Sequence, residues 1–74
     1  MLVVFPNPTN TSLNVISEFT IEKIEVYSML GELISTKNTT SNEVNVELQN
    51  LAAGVYTFNV FANGGMKTVR VIKN

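Results

Sequence analysis

The sequence predicts an all-β fold, a small seven-stranded antiparallel β-sandwich of immunoglobulin-like type. Apolar and polar residues alternate through the apolar segments, which is the period of a half-buried strand. Clusters of Gly, Pro, Asn, Ser and Thr separate these segments at intervals of about ten residues, a spacing typical of two-sheet sandwiches. No segment shows the period of an amphipathic helix, so we expect no helical signature in the far-ultraviolet circular dichroism spectrum.

Each predicted strand is an alternating run bounded by turn-forming residues. The first four runs lie before a polar stretch at Lys37–Asn42, which is predicted to be a loop, and the last three follow it. In chain order, the predicted strands are Leu2–Phe5, Ser12–Ile16, Ile21–Ser28, Glu32–Thr36, Glu43–Leu48, Val55–Phe61 and Met66–Ile72.

The turns between these strands have distinct chemistry. Two prolines in Pro6-Asn7-Pro8 fix φ and remove two backbone donors, which predicts a stiff extended turn. Gly31 can supply the positive φ of a hairpin turn after Met29-Leu30. Gln49–Gly54 is a further turn, and Asn63-Gly64-Gly65 is a strong hairpin signal because Asn and Gly tolerate the positive φ of tight turns.

The segment Val55–Phe61 is the most hydrophobic of the predicted strands, so we expect it to lie in the centre of a sheet. Its alternation places Tyr56, Phe58 and Val60 towards the core. Aromatic side chains dominate small cores because each buries a large area. We therefore expect Tyr56 to be buried.

Length and composition predict one domain, residues 1–74. The chain has 74 residues, 45% of them hydrophobic and 15% charged, which is the composition of a globular domain and not of a disordered tail. A chain of this size is close to the lower limit for a single hydrophobic core. We expect a fold of modest stability.

Charge and residue types exclude several functions. The formal net charge is −1, and the five basic residues are dispersed, so no basic face is predicted for nucleic acid. There is no cysteine, which excludes disulfides and thiolate metal sites. The apolar runs are too short to span a bilayer. The basic residues are Lys23, Lys37, Lys67, Arg70 and Lys73.

The sequence lacks the residue types from which most catalytic and metal-binding sites are built. The chain contains no histidine, cysteine or aspartate, and its six acidic residues are all glutamate. Most of these glutamates fall on the solvent side of the predicted strands, where charge protects a sheet from aggregation. We therefore predict no enzymatic activity, no cofactor, no metal and no small-molecule substrate.

A carbohydrate-binding module is an alternative, because flat aromatic rings can stack on sugars. Tyr56 and Phe58 are predicted to belong to the core, which leaves Tyr27 and Phe61 for such a platform. Exposure of these two rings would favour carbohydrate binding. A stalk or adhesion sandwich of a surface protein is a further alternative.

An ordered set of motifs covers nearly the whole chain. The motifs are Phe5-Pro6-Asn7-Pro8-Thr9, Leu13-Asn14-Val15, Ile24-Glu25-Val26-Tyr27, Gly31-Glu32-Leu33-Ile34, Leu51-Ala52-Ala53-Gly54-Val55-Tyr56 and Val69-Arg70-Val71-Ile72-Lys73. Together they resemble the type A C-terminal sorting domain of the type IX (Por) secretion system. Ser28 stands where this family often has Asp or Asn, and Ala52 where Pro is common.

This resemblance implies a C-terminal secretion signal of a larger secreted protein. Outer-membrane type IX components would bind the folded domain in the periplasm and export the parent to the cell surface or the medium. A sortase-like peptidase would commonly cut the domain off. No direct membrane insertion is implied. The recognition candidates are Pro6, Asn7, Pro8, Gly54, Tyr56, Arg70, Lys73 and Asn74.

Lys73 and Asn74 follow the last apolar residue of the final predicted strand. Residues beyond a strand end are usually exposed and form few bonds. We expect this tail to contribute little to stability and to be available for recognition.

Overall fold

The computed structural model describes residues 1–74 and contains five β-strands and no helix. The all-β prediction is confirmed. No helix long and apolar enough to cross a membrane is present. The strands are β1 (Leu2–Phe5), β2 (Ser12–Tyr27), β3 (Leu33–Glu47), β4 (Gly54–Ala62) and β5 (Gly65–Lys73).

All five strands belong to one antiparallel sheet in which β2 is the shared element. The first half of β2 lies between β1 and β3, with Val15 opposite both Val4 and Val44. Its second half lies between β4 and β3, with Val26 opposite Phe58 and Ser35. β4 lies between β2 and β5, which confirms its prediction as a central strand.

The predicted number of seven strands is wrong, because two pairs of predicted strands each form one continuous strand. Ser12–Ile16 and Ile21–Ser28 merge into β2, while Glu32–Thr36, the predicted loop and Glu43–Leu48 merge into β3. Neither strand contains a glycine or proline that would interrupt its ladder. The polar composition of residues 37–42 reflects exposure on an edge strand and not a turn.

The long strand β2 changes its buried face halfway along. Leu13 and Val15 point into the core in the first half, whereas Ile24 and Val26 do so in the second half. The register with β3 shifts on both sides of Ile21. Side chains alternate between the two faces of a strand, so one extra residue at a bulge reverses which residues face the core beyond it. The bulge also bends the strand. The bend allows both halves of β2 to face one core.

The core draws on β2, β3, β4 and β5. Tyr56, Phe58 and Val60 of β4 are buried as predicted. Leu51, in the turn before β4, packs against the core from its edge. The buried apolar residues are Leu13, Val15, Ile21, Ile24, Val26, Val44, Val46, Leu48, Tyr56, Phe58, Val60 and Val71.

The tight turns match their sequence signals. Asn63 and Gly64 both have positive φ, 54° and 72°, as the predicted β4–β5 hairpin requires. Gly31 has φ of 86° in the β2–β3 turn. The Ser28 hydroxyl accepts hydrogen bonds from the backbone N–H groups of Leu30 and Glu32, both at 3.2 Å. The Ser28 side chain thus stabilises this turn.

The core assignment predicts that Phe58→Ala lowers the free energy of unfolding by about 3 to 5 kcal/mol, because the Phe58 side chain is 0% exposed. A small domain has only about 5 to 15 kcal/mol in total, so the variant should be close to unfolded. Phe19→Ala is the matched control, since Phe19 is 47% exposed. Urea denaturation followed by circular dichroism measures both variants. Equal losses would contradict the assignment of Phe58 to the core.

Candidate functional site

The connection between β1 and β2 runs beside the end of β5. Thr9 and Lys73 form a parallel bridge. The backbone N–H of Thr9 donates to the carbonyl of Ile72 at 2.9 Å, and the N–H of Asn74 donates to the carbonyl of Thr9 at 2.8 Å. We call this contact between residues 7–10 and residues 70–74 the clasp. It extends the sheet by a short parallel pair at the outer edge of β5.

The side chain of Asn7 forms two of the hydrogen bonds of the clasp. Its Nδ2 donates to the Arg70 carbonyl at 2.9 Å, and its Oδ1 accepts from the Ile72 N–H at 3.0 Å. One amide side chain therefore pairs with both a donor and an acceptor of the β5 edge, as a neighbouring backbone would. Pro6 and Pro8, whose preceding peptide bonds are both cis, have no N–H to offer. The Asn7 side chain supplies the pairing that their backbone cannot.

Thr9 and Asn10 complete the clasp, and sequence reasoning did not select them as site residues. Thr9 is buried, and its hydroxyl donates to the Ser12 carbonyl. The Asn10 Oδ1 accepts from the Asn74 Nδ2 at 3.1 Å across 64 residues of sequence. Both residues follow Pro8 and have the composition of a turn. The only available signal was the position of Thr9 at the end of the Phe5-Pro6-Asn7-Pro8-Thr9 motif.

The recognition candidates all lie at this end of the sheet. Gly54 is opposite Lys73, and Tyr56 is opposite Val71. The Tyr56 side chain is buried, and its hydroxyl donates to the Ala52 carbonyl at 2.6 Å, so it supports the site from inside the fold. Gly54 is half-buried. The candidates with exposed side chains are Pro6, Asn7, Pro8, Arg70 and Asn74.

The tail is bonded more firmly than the sequence suggested. Strand β5 extends through Lys73, which is half-buried between Gly54 and Thr9. Asn74 is exposed, but its backbone and side chain each donate a hydrogen bond to the clasp. The expectation of a lightly bonded tail is therefore wrong, because the β1–β2 connection provides a neighbouring strand.

The two cationic side chains of the clasp, Arg70 and Lys73, form no ion pair within the chain. The ion pairs in the structure involve Lys23 with Glu25 and the first residue with Glu18, and neither includes Arg70 or Lys73. No cluster of three acidic side chains that could hold a metal ion is present. Free guanidinium and ammonium groups form charge-assisted hydrogen bonds with carboxylates. The arrangement is suited to binding an acidic partner surface.

The two aromatics considered for a sugar platform, Tyr27 and Phe61, do not form an open surface. Both are half-buried. The Lys23 Nζ lies over one face of the Phe61 ring, 4.4 Å from its centre. The Tyr27 hydroxyl donates to the Glu25 carboxylate at 3.0 Å, and this hydrogen bond raises the pKa of Tyr27 above its ordinary value. The geometry does not favour carbohydrate binding at these rings.

A family model described as a secretion system C-terminal sorting domain matches residues 3–74. The matched range includes both sides of the clasp. No curated protein matches the chain.

The geometry of the clasp predicts that Asn7→Ala lowers the free energy of unfolding by about 1 to 2 kcal/mol, because two side-chain hydrogen bonds to β5 are lost. Asn38→Ala is the matched control: Asn38 is an exposed asparagine in β3 whose side chain forms no hydrogen bond within the chain. Chemical denaturation measures stability, and amide hydrogen exchange at Ile72 should accelerate only in the Asn7 variant. Unchanged exchange at Ile72 would contradict the role of Asn7 in the clasp.

Proposed function

The chain belongs to the family of secretion system C-terminal sorting domains, and on this premise we propose that the export machinery recognises it at the clasp. As a type IX sorting domain, the chain is a signal that directs export to the cell surface or the extracellular space. Interaction with the type IX machinery follows from this role. The proposal concerns where on the molecule that interaction takes place.

The observation that carries the proposal is the joining of distant sequence segments at the clasp. Asn7 and Arg70 are 63 residues apart in sequence, yet they are hydrogen-bonded. The surface formed by their segments exists only when the sheet has formed. A receptor that binds this surface distinguishes a folded domain from an unfolded one, which suits a signal that is bound folded.

The chemistry of the surface suggests the kind of receptor site. Pro6 and Pro8 present exposed, rigid rings on one side of the clasp, and Arg70, whose backbone carbonyl accepts from Asn7, is exposed on the other. Lys73 adds a second positive charge in a half-buried position. A receptor site with carboxylates facing these cations, and an apolar wall for the prolines, would be complementary.

The remaining steps of the route rest on the family resemblance. We propose that the chain ends a larger parent protein, crosses the periplasm folded, and is removed by a sortase-like surface peptidase after export. We also propose that it has no catalytic role, which is supported by the absence of His, Cys and Asp from its sequence. The match to the family model favours this function over a stalk or adhesion module.

We further propose that the bend in β2 folds the sheet into two layers, which form an immunoglobulin-like sandwich. The support is the single core to which both halves of β2 contribute, through Leu13 and Val15 in one half and Ile24 and Val26 in the other. An experimental structure in which Leu13 and Phe58 lie in facing layers would test this arrangement.

Export of a fused reporter tests recognition at the clasp. The variant Arg70→Gln/Lys73→Gln removes both charges but keeps long polar side chains, so stability should change by less than about 1 kcal/mol. We expect export from a cell with the type IX machinery to fall about tenfold, the effect of losing about 1.4 kcal/mol of binding free energy. The matched control is Lys67→Gln, an exposed cation in β5 away from the clasp, which should be exported like the wild type.

The outcomes of this experiment separate two claims. If a folded wild-type fusion stays in the periplasm, the chain is not a functional export signal. If the wild type is exported and the double variant is exported equally well, the charges of the clasp are not recognised.

A further inference from the structure

The sheet has three edge strands, β1, β3 and β5, each of which pairs with one other strand of the sheet. The outer edge of β5 is covered at its C-terminal end by the clasp. In contrast, β3 pairs with β2 alone, so its other edge has no neighbour along Leu33–Glu47. An open edge exposes unpaired N–H and C=O groups that can bind another strand.

The first part of β3 lacks two of the usual protections of an open edge, a proline and a run of charges. Over Leu33–Asn38 every residue is exposed, none is proline, and Lys37 is the only charge. Within this stretch, Ser35 to Asn38 pair with Val26 to Lys23 without a register shift, and a shift at Ile34 separates them from Leu33. Ser35–Asn38 therefore offers a short regular template for an added strand, bounded by the shift at Ile34 and by the shifts around Ser41.

Exposed apolar side chains lie at one end of this stretch. Leu33 and Ile34 are exposed at its start, and Met29 and Leu30 in the adjoining turn are 73% and 86% exposed. Exposed large apolar groups that cluster are a mark of interaction sites. The edge is thus apolar at one end and polar from Ser35 onwards.

We propose that the free edge of Leu33–Asn38 accepts an extended strand from the export machinery, by addition to the sheet next to β3. This inference rests on the proposed function for the identity of the partner. Backbone hydrogen bonds would supply affinity, and side chains would supply specificity. The complementary strand has apolar residues opposite Leu33 and Ile34, small polar residues along the middle, and a carboxylate near Lys37, whose ammonium also donates to the Asn45 carbonyl at 3.0 Å.

A second copy of the chain would fit the free edge of β3 less well than a strand of different sequence. Two-fold antiparallel pairing of this stretch with itself sets its apolar end opposite its polar end. Leu33 and Ile34 would then face polar residues of the other copy, such as Asn38 or Lys37. Apolar cross-strand pairs are lost in that register, so a strand of different sequence fits the edge better.

Amide hydrogen exchange of a reporter fusion, alone and with type IX translocon purified in detergent, tests the inference. We expect exchange over Leu33–Asn38 to slow at least tenfold in the complex. Ile34→Lys should abolish this protection, because it introduces a charge at the apolar end of the edge. Val3→Lys in β1 is the matched control, since Ile34 and Val3 are 38% and 37% exposed, and it should leave the protection intact.

Each outcome decides between the claims. Protection at the clasp but not at Leu33–Asn38 overturns the strand addition and leaves the proposed function standing. No binding of the folded fusion overturns both. Protection of β3 that appears when the fusion alone is concentrated assigns the edge to self-association and overturns the partner proposed here.

Discussion

The bulged bend of β2 is the constraint on which the rest of the structure depends. A flat sheet of this length could bury only one face, and it would have nothing to bury that face against. The register shifts around Ile21 turn the apolar residues of the second half of β2 onto the same core as those of the first half. Burial of apolar surface is the main favourable contribution to folding, so without the bend a chain of 74 residues would have no core.

Much of this fold could be predicted from local sequence signals. β1, β4 and β5, the Asn63-Gly64 turn and the burial of Tyr56 follow from alternation and turn chemistry. The length of β3 could not be predicted, because residues 37–42 are polar for the same reason in an edge strand as in a loop: both are exposed. The clasp could not be predicted either. The hydrogen bonds of Asn7 reach residues more than sixty positions away, and an asparagine between prolines is equally typical of an ordinary turn.

Two of the edge strands, β5 and β3, have opposite character, and this asymmetry relates the fold to its role. At β5 the chain closes its own edge with Asn7 and Thr9, and the closure brings motifs from both ends of the sequence to one surface. At β3 the edge is left open, with Leu33 and Ile34 exposed beside it. A sorting domain has to be stable without a partner and yet be bound by one. An edge closed at the end of β5 and an edge left free at β3 are compatible with both requirements.

The direction of the strands in the clasp has a mechanical consequence. Residues 7–10 and 70–74 run parallel. If the chain is gripped at Lys73–Asn74 while a load pulls from the side of β1, the two segments are drawn in opposite directions along their length. The hydrogen bonds of Asn7, Thr9 and Asn74 are then strained in shear and bear the tension together, whereas an antiparallel hairpin pulled at its two open ends would unzip one bond at a time. The orientation of the clasp thus allows its hydrogen bonds to resist unfolding of the domain when the chain is pulled.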